Sequence, residues 1–412
     1  MFVVNIYKKL TVNIALQYIG FLFTAATSFF ISVFLARSLS SENFGYFITA
    51  TSAGAVISVI IEGGCRVIIQ REAIAFTTHE EVKFSKKIRF FFGRSIISSL
   101  ILLAFGLLFL DEAPMLVAAT ILVFWSISII QIRSAFLRGR GQFISDSIHM
   151  VVSRFMSAFF IIVLVFFGIH NVSYLLISWA VGLLLWLIIC RFDRIICPPS
   201  TDFSTMKMTG LTILLIELLN ALTFRFDLLY AQYSGTGQNE IALYGASLRL
   251  TEGVLFLAMP MRAFLFNAYR KNLNQKVSDV FELFVCVVFS LTIGSILSFV
   301  IINYSELIVS VIFGENFSGA VLYLERMSLL LPPMLSVVPL AEWFLAKEYE
   351  RYYLKLSIVI CILSLTIYTY LFNILMFSDI LFFKILIEIS VFLGLLSLSL
   401  WLIWNTSRKY CD

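Results

Sequence analysis

Long uninterrupted runs of apolar residues dominate this chain from end to end. A helix that spans a bilayer needs about 20 mainly apolar residues, and twelve runs satisfy that requirement. They are residues 11–36, 43–70, 88–110, 113–136, 147–168, 172–190, 209–233, 241–268, 280–303, 319–346, 356–377 and 380–404. The pattern therefore predicts an all-α, polytopic membrane protein with about 12 transmembrane helices.

Three segments of this pattern need separate interpretation. The run 11–36 is longer than the apolar core of a signal peptide and precedes no secreted domain, so we expect an uncleaved first helix. The stretch SELIVSVIF (305–313) is expected either to extend the ninth helix or to form a short interfacial piece. In the tenth span, Pro332, Pro333 and Pro339 predict a kink or a break, because proline interrupts helical hydrogen bonding.

The composition agrees with a protein dissolved in lipid. The chain is 60% hydrophobic and 13% charged, whereas a soluble domain carries about 25% charged residues. No connection between the predicted spans is long enough for a folded extramembrane catalytic domain. This disfavours a membrane polymerase or glycosyltransferase, which needs a sizeable loop for its chemistry.

The basic residues give the orientation of the predicted helices. Most of the 30 lysines and arginines fall in alternate connections, for example Lys83 to Arg94, Arg133 to Arg140 and Arg270 to Lys276. Cytoplasmic connections carry an excess of basic residues. We therefore expect both the N- and C-termini in the cytoplasm, which requires an even number of spans.

A polar segment near the midpoint divides the predicted spans into two sets of six. RFDRIICPPSTDFSTMKM (191–208) is expected to be a cytoplasmic linker between an N-terminal six-helix half, 1–190, and a C-terminal half, 209–412. LARSLSSENFGYF (35–47) and AQYSGTGQNEIALY (231–244) occupy equivalent places in the two halves. Because six is even, the halves share one orientation, which predicts a pseudo-twofold axis along the membrane normal and a central cavity, a recurrent transporter architecture.

Charged residues inside the seventh and eighth spans are the main functional candidates. A charge at the bilayer centre costs about 2.5–3.5 kcal/mol on insertion scales, so it tends to face a cavity or a partner. The seventh span holds Glu217, Arg225 and Asp227, and the eighth holds Arg249 and Glu252. At 3.6 residues per turn, Arg225 and Asp227 lie on well-separated faces and cannot simply pair with each other. Because the two spans are joined by a short turn, we expect their charged sets to meet.

Other charges within spans have simpler interpretations. Arg154 in the fifth span either snorkels towards the cytoplasmic surface or faces a cavity. Glu62 and Arg66 are four residues apart and are expected to pair locally. Lys384 and Glu388 have the same spacing, and a local salt bridge is expected there too.

Motifs of soluble enzymes and of metal sites do not occur in the sequence. There is no P-loop, no GxGxxG after a strand and no HExxH, so the chain alone does not drive transport by hydrolysing ATP. The six cysteines form no CxxC pair and the three histidines are scattered, so we expect neither a metal nor another cofactor.

Three segments carry a resemblance to a known family. LARSLSSENFGYFITATSAGAVISVIIEGGCRVIIQREA (35–73) is similar to the first hairpin of the Wzx-type polysaccharide flippases, which belong to the multidrug/oligosaccharidyl-lipid/polysaccharide (MOP) exporter superfamily. FDLLYAQYSGTGQNEIALYGASLRLTE (226–252) resembles the family's seventh-to-eighth helix hairpin. FGENFSGA (313–320) resembles the element before its tenth helix. Ala242 departs from the glycine that the family often has, which loosens the alignment of that hairpin.

The resemblance implies a function and a location. It implies a flippase that moves an undecaprenyl-pyrophosphate-linked oligosaccharide repeat unit, for O-antigen or capsule, across the bacterial inner membrane by alternating access. The implied partners are this substrate, membrane lipids, a polysaccharide polymerase and a chain-length regulator, with no nucleic acid. A cation-coupled drug antiporter of the same superfamily is the main alternative, and a membrane polysaccharide polymerase is a further one.

The buried charges suit such a substrate. Arg225, Arg249 and Arg154 are predicted to bind phosphate or acidic sugar groups, because guanidinium pairs strongly with phosphate oxygens. Glu217, Asp227 and Glu252 are predicted to balance those arginines or to bind a coupling cation.

Overall fold

The computed structural model describes residues 2–75, 93–104, 114–190, 204–271, 277–372, 374 and 377–408. Within these ranges the chain is helical and has no β-strand. The helices are α1 (Phe2–Ser38), α2 (Ser41–Glu62), α3 (Cys65–Ala75), α4 (Gly93–Ala104), α5 (Pro114–Gly139), α6 (Phe143–Phe166), α7 (Val172–Ile189), α8 (Ser204–Tyr233), α9 (Gln238–Leu255), α10 (Met259–Lys271), α11 (Val277–Asn303), α12 (Ser305–Ile312), α13 (Ala320–Ser328), α14 (Leu331–Ala346), α15 (Glu350–Leu371) and α16 (Phe377–Arg408). The all-α prediction is confirmed.

The lengths and apolar content of the helices fit membrane crossing. Seven of the described helices are long and apolar enough to span a bilayer on their own, namely α2, α5, α6, α7, α11, α15 and α16, and the bent pair α13–α14 makes an eighth span. Two shorter apolar segments lie at the places of the first and third predicted spans. They are Leu22–Ser38, which is the C-terminal part of α1, and Gly93–Ala104, which is α4. The seventh and eighth predicted spans correspond to α8 and to α9–α10, which carry the candidate charges.

Local sequence signals fix the ends of several helices. Ser40 caps α2, because its hydroxyl accepts a hydrogen bond from the Asn43 amide at 3.2 Å. Asn171 caps α7 in the same way through the Ser173 amide at 2.9 Å. Such caps satisfy amides that have no partner within the helix. Each cap lets a new helix begin after only a short connection from the helix before it.

The second and eighth predicted spans are not continuous helices. The second is interrupted between α2 and α3 by Gly63 and Gly64, whose φ angles of 57° and 72° are left-handed. The eighth is interrupted between α9 and α10 by a 3-10 turn, Phe256–Ala258. The prediction of single uninterrupted spans, 43–70 and 241–268, is therefore wrong in this respect, because hydrophobicity alone does not register such backbone breaks.

Gly64 offers a test of the break in the second span. A Cβ on Gly64 would lie 2.6 Å from the Gly210 carbonyl oxygen and 2.9 Å from the Leu214 amide nitrogen, both backbone atoms of α8. Gly64→Ala is therefore expected to combine the cost of a left-handed non-glycine residue, about 1–2 kcal/mol, with an overpacking cost of about 1–3 kcal/mol. The measurement is thermal unfolding of the purified protein in detergent.

Gly235 provides the matched control. Its φ of 80° is also left-handed, but a Cβ there would meet no atom within 4 Å. Gly235→Ala should therefore show the backbone cost alone and lower the unfolding temperature less than Gly64→Ala. Equal shifts in the two variants would show that the α8 backbone does not constrain Gly64.

The tenth span is bent, as its prolines predict. The axes of α13 and α14 differ by 46°. The bend lies just before Pro332 and Pro333, which occupy the first turn of α14, where a missing amide hydrogen costs little. Pro339 lies inside α14. Residues 305–312 form the separate short helix α12 rather than an extension of α11, and the expected interfacial position of this stretch stays a prediction.

The chain divides into two compact units, Met1–Ala221 and Leu222–Asp412, and the division falls within α8. In the first unit, α6 packs against α1 and α7, while α5 packs against α2, α3 and α7. The predicted linker, 191–208, lies mostly outside the described residues, so the predicted boundaries at 190 and 209 stay a prediction.

The second unit is built around α14. This helix packs against α10, α11 and α16, while α13 packs against α9 and α15 against α16. Leu340 and Phe344 of α14 are fully buried in this arrangement. The unit holds residues 222–233 of α8 near the side chains of α9 and α16, and that proximity determines the charged sites described next.

Candidate functional site

Helices α8 and α9 bring two arginines onto one carboxylate. Glu252 accepts a short hydrogen bond from Arg225 through one oxygen and bonds Arg249 Nη1 at 2.9 Å through the other. The Arg225–Glu252 pair joins α8 to α9, whereas Arg249 and Glu252 are three residues apart on α9 and share a face. The expected meeting of the two charged sets is confirmed. We call Arg225, Glu252 and Arg249 the arginine triad.

The arginine triad has a net charge of +1, and its side chains are partly exposed. Its side chains retain 12% (Arg225), 19% (Arg249) and 12% (Glu252) of their exposure. Guanidinium groups have planar donor arrays that match carboxylate and phosphate oxygens, and Glu252 offers one oxygen to each of the two arginines. The net charge and the partial exposure of the arginine triad make it a candidate for contact with an anion.

A second charged group on α8 is fully buried. Asp227 Oδ2 accepts a hydrogen bond from Lys384 Nζ of α16 at 2.8 Å and a short one from the Tyr244 hydroxyl of α9. Lys384 Nζ also donates to the Phe224 carbonyl at 3.0 Å and contacts the Tyr244 hydroxyl oxygen at 3.2 Å. An ammonium has three donors, and all three have partners here. We call Asp227, Lys384 and Tyr244 the lysine site.

Aromatic rings complete the enclosure of the ammonium. Lys384 Nζ lies 4.5 Å from the centroid of the Phe224 ring and 5.7 Å from that of Tyr244. Both distances allow cation–π attraction. The side chain of Lys384 is only 1% exposed and that of Asp227 3%. The lysine site therefore differs from the arginine triad, because no side of the Lys384 ammonium is left open for a ligand.

The partner expected for Lys384 was wrong. It bonds Asp227, 157 residues away in sequence, instead of Glu388 one turn along α16. The physical reason is that Asp227, on the opposite face of α8 from Arg225, needs a cation once it is buried. The sequence contained one signal of this pairing: Asp227 and Lys384 are opposite charges in the outer halves of their predicted spans.

Glu217 lies in the first unit and has its own basic partner. Its Oε1 is 2.8 Å from Arg66 Nη2 of α3. The expected local pair between Glu62 and Arg66 also forms, but at a longer 3.8 Å. Glu217 is thus balanced at the break of the second span, and the structure does not bring it to the arginine triad. Its predicted role in cation coupling stays a prediction.

Arg154 lies on α6 in the first unit and is half-buried. No carboxylate in the described part of the chain forms a salt bridge with it. Both readings of this residue, snorkelling and substrate contact, therefore stay open predictions. In the described ranges, no three His, Cys, Asp or Glu side chains are grouped so as to hold a metal ion.

Comparison with known proteins shows the fold to which these sites belong. No protein-family model matches the sequence, and no curated protein matches it. Solved structures do match over nearly the whole chain. An outward-facing multidrug resistance MATE family transporter of the MOP superfamily is 14% identical with a TM-score of 0.68, covering 97% of this chain and 96% of its own.

Two further structures give the same result. A Vibrio cholerae MATE transporter is 15% identical with a TM-score of 0.69, and the match covers 98% of both chains. A MOP superfamily transporter from Pyrococcus furiosus is 15% identical with a TM-score of 0.64, covering 96% of this chain and 95% of its own. The chain therefore has the twelve-helix, two-half fold of MOP superfamily transporters and is a multi-pass membrane protein.

Proposed function

We propose that this protein is a flippase that moves an undecaprenyl-pyrophosphate-linked oligosaccharide across the bacterial inner membrane, for O-antigen or capsule assembly. The fold of MOP superfamily transporters supports transport in general. The resemblance of three sequence segments to Wzx-type flippases supports the lipid-linked substrate. The single observation that carries the proposal is the arginine triad, a cationic and partly exposed group on α8 and α9, the helices of the seventh and eighth predicted spans.

The charge of the arginine triad favours an anionic substrate. Placing Arg225 and Arg249 in the membrane costs free energy, and the two arginines share the single carboxylate of Glu252. A pyrophosphate presents several anionic oxygens and can bond both guanidinium groups at once. The substrate would therefore supply the negative charge that Glu252 supplies only in part.

The rest of the substrate fits a membrane transporter of this size. The polar glycan needs a hydrated path, whereas the lipid tail remains in the bilayer. We propose that the two halves alternate in their access to the two sides, with a polysaccharide polymerase and a chain-length regulator as later partners. Cytoplasmic N- and C-termini complete the proposed topology, supported by the distribution of basic residues.

A cation-coupled drug antiporter is the second candidate, and the multidrug transporters among the structural matches favour it. In that function a carboxylate would bind the cationic drug. Each of the three predicted carboxylates has a basic partner instead: Glu217 has Arg66, Asp227 has Lys384, and Glu252 has both triad arginines. For the Pyrococcus furiosus protein, a binding pocket of reverse polarity is said to suggest a different function. The net positive charge of the arginine triad likewise supports a function other than drug antiport for this chain.

Deletion of the gene in its native host tests the proposal. We expect loss of the surface polysaccharide and accumulation of the lipid-linked repeat unit on the cytoplasmic face, both restored by the wild-type gene on a plasmid. Sensitivity to cationic dyes such as ethidium should not change. Normal polysaccharide together with increased dye sensitivity would instead support the drug antiporter.

Glu252 provides a more specific prediction. Glu252→Gln removes the anion that competes with the substrate for Arg225 and Arg249. We expect undecaprenyl pyrophosphate to bind the purified variant more tightly, by about 1.4 kcal/mol or tenfold in Kd. Scintillation proximity binding with a radiolabelled lipid measures this affinity.

The control for this prediction is a variant that removes a cation instead. Arg249→Gln should weaken binding of the same lipid under the same conditions. Size-exclusion profiles identify any variant that has lost its fold. If Glu252→Gln and Arg249→Gln both weaken binding while remaining folded, Glu252 does not compete with the substrate.

A further inference from the structure

A groove of about 370 Å³ lies in the second unit, beside the bend between α13 and α14. It is separate from both the arginine triad and the lysine site. Its lining residues come from the end of α13, the bend and the first turns of α16: Arg326, Leu329, Asp379, Phe382, Phe383 and Ile385. The walls of the groove are mostly apolar, and its two charged residues, Arg326 and Asp379, are paired with each other.

The charged part of the groove contains an exposed ion pair. Arg326 Nη1 lies 3.1 Å from Asp379 Oδ1, and the two side chains are 34% and 51% exposed. Exposed pairs of this kind contribute about 0–1 kcal/mol, so a phosphate can replace Asp379 on Arg326 at little cost. A guanidinium above an apolar groove is complementary to a lipid that carries phosphate at the head of its chain.

The lining of the groove suits a single hydrocarbon chain below a phosphate. Its walls are mostly apolar, and its two charged residues are Arg326 and Asp379. A membrane phospholipid has two chains attached at its phosphate end, whereas a polyprenyl phosphate has one.

The groove lies towards the outer side of the membrane in the predicted topology. Asp379 is in the first turn of α16, and α16 begins at the outer surface in the predicted topology. Leu329 and Phe382 are 46% and 58% exposed, so the groove is open to surrounding lipid. A lipid that has just crossed to the outer leaflet would meet it directly.

We propose that this groove binds the phosphate-proximal part of a polyprenyl chain, with Arg326 on the phosphate and Phe382 and Leu329 along the chain. The inference rests on the proposed function, which supplies the polyprenyl substrate. It adds a second site for that substrate at the outer end of the protein, where the lipid is held as it leaves.

Photocrosslinking tests the groove without requiring transport. The photoreactive residue benzoylphenylalanine replaces Phe382, and the full-length protein is placed in phosphatidylethanolamine and phosphatidylglycerol vesicles with radiolabelled undecaprenyl pyrophosphate. Leu393 is the matched control site, because it lies on nearly the same face of α16, roughly 20° away and three turns further along. It is similarly exposed, at 54%, and it does not line the groove.

We expect several times more polyprenyl adduct at position 382 than at 393, and a several-fold loss of that adduct when Arg326→Gln is added. Adducts only with phospholipid, or equal polyprenyl adducts at both positions, would overturn the proposal. The same vesicles assayed for flipping separate the two claims. Flipping without a preferred adduct at 382 refutes the groove alone, whereas a preferred adduct without flipping refutes the proposed function alone.

Discussion

Lys384→Met is expected to abolish most of the folded protein in the membrane. The substitution leaves the Asp227 carboxylate buried with Tyr244 as its remaining partner in the lysine site. Removing one partner of a buried ion pair costs about 3–5 kcal/mol, which is a large part of the 5–15 kcal/mol that stabilises a typical protein. The measurement is the yield and unfolding temperature of a fluorescent fusion protein in detergent.

The paired variant separates charge from packing. Asp227→Asn combined with Lys384→Met removes both charges and retains similar volumes. Replacing a whole buried pair by neutral groups is often tolerated, so the double variant should recover most of the yield that Lys384→Met loses. If the double variant is as unstable as the single one, the lysine site is held by something other than the balance of charge.

The function of this double variant is informative in its own right. If Asp227 serves only to balance Lys384, the double variant should retain transport. If Asp227 carries a coupling cation, as the sequence also allowed, transport should be lost although the protein is folded. The enclosure of Lys384 by three oxygen partners favours the first outcome.

Arg225→Ala and Arg249→Ala are expected to abolish complementation of a deletion strain while leaving the protein in the membrane. Each substitution changes the triad from a net charge of +1 to zero, so the anionic head group no longer meets a cationic site. The arginines are partly exposed, unlike the residues of the lysine site, so their loss should affect stability less. Surface polysaccharide and membrane levels of the protein are the two measurements.

Two controls make this result specific. Arg140→Ala changes an exposed basic residue in the turn between α5 and α6 and should complement fully. Arg225→Lys preserves the charge but loses the paired donors of the guanidinium group, so partial complementation is expected. Full activity of both alanine variants would remove the arginine triad from the substrate path.

Much of the fold follows from the sequence because the membrane restricts the choices. A backbone in lipid must satisfy its own hydrogen bonds, so long apolar runs become helices. For this reason the ends of α5, α7 and α11 lie close to the predicted spans, whereas α15 is shifted towards the N-terminus of its predicted span. The bend of the tenth span was also predictable, since Pro332 and Pro333 exclude an uninterrupted helix there.

The breaks in the second and eighth spans were less predictable. Gly63 and Gly64 adopt left-handed conformations, but glycines are also common inside transmembrane helices, so their presence alone does not specify a break. The 3-10 turn Phe256–Ala258 contains no glycine or proline. Pro260 follows the turn and lacks the amide hydrogen that would bond the Phe256 carbonyl in a continuous helix, so the sequence holds one local signal of this break.

The distant partners of the buried charges were also not predictable from the sequence. Helical geometry alone separated Arg225 from Asp227 and placed Arg249 beside Glu252. It did not identify Lys384 as the partner of Asp227 or Arg66 as the partner of Glu217, because those pairs join positions more than 150 residues apart. Periodicity reports which face a residue occupies, whereas the packing of distant helices determines what that face meets.

In the proposed function, the arginine triad carries an anionic, lipid-linked sugar through the membrane. The most direct test reconstitutes the purified protein in liposomes with a fluorescent undecaprenyl-pyrophosphate-linked oligosaccharide and measures its appearance on the opposite leaflet. We predict rapid flipping by the wild type and a return to the rate of protein-free liposomes for the folded double variant Arg225→Gln/Arg249→Gln. Equal flipping by the wild type and this variant, or no flipping by a wild type that transports a cationic dye, would contradict the account.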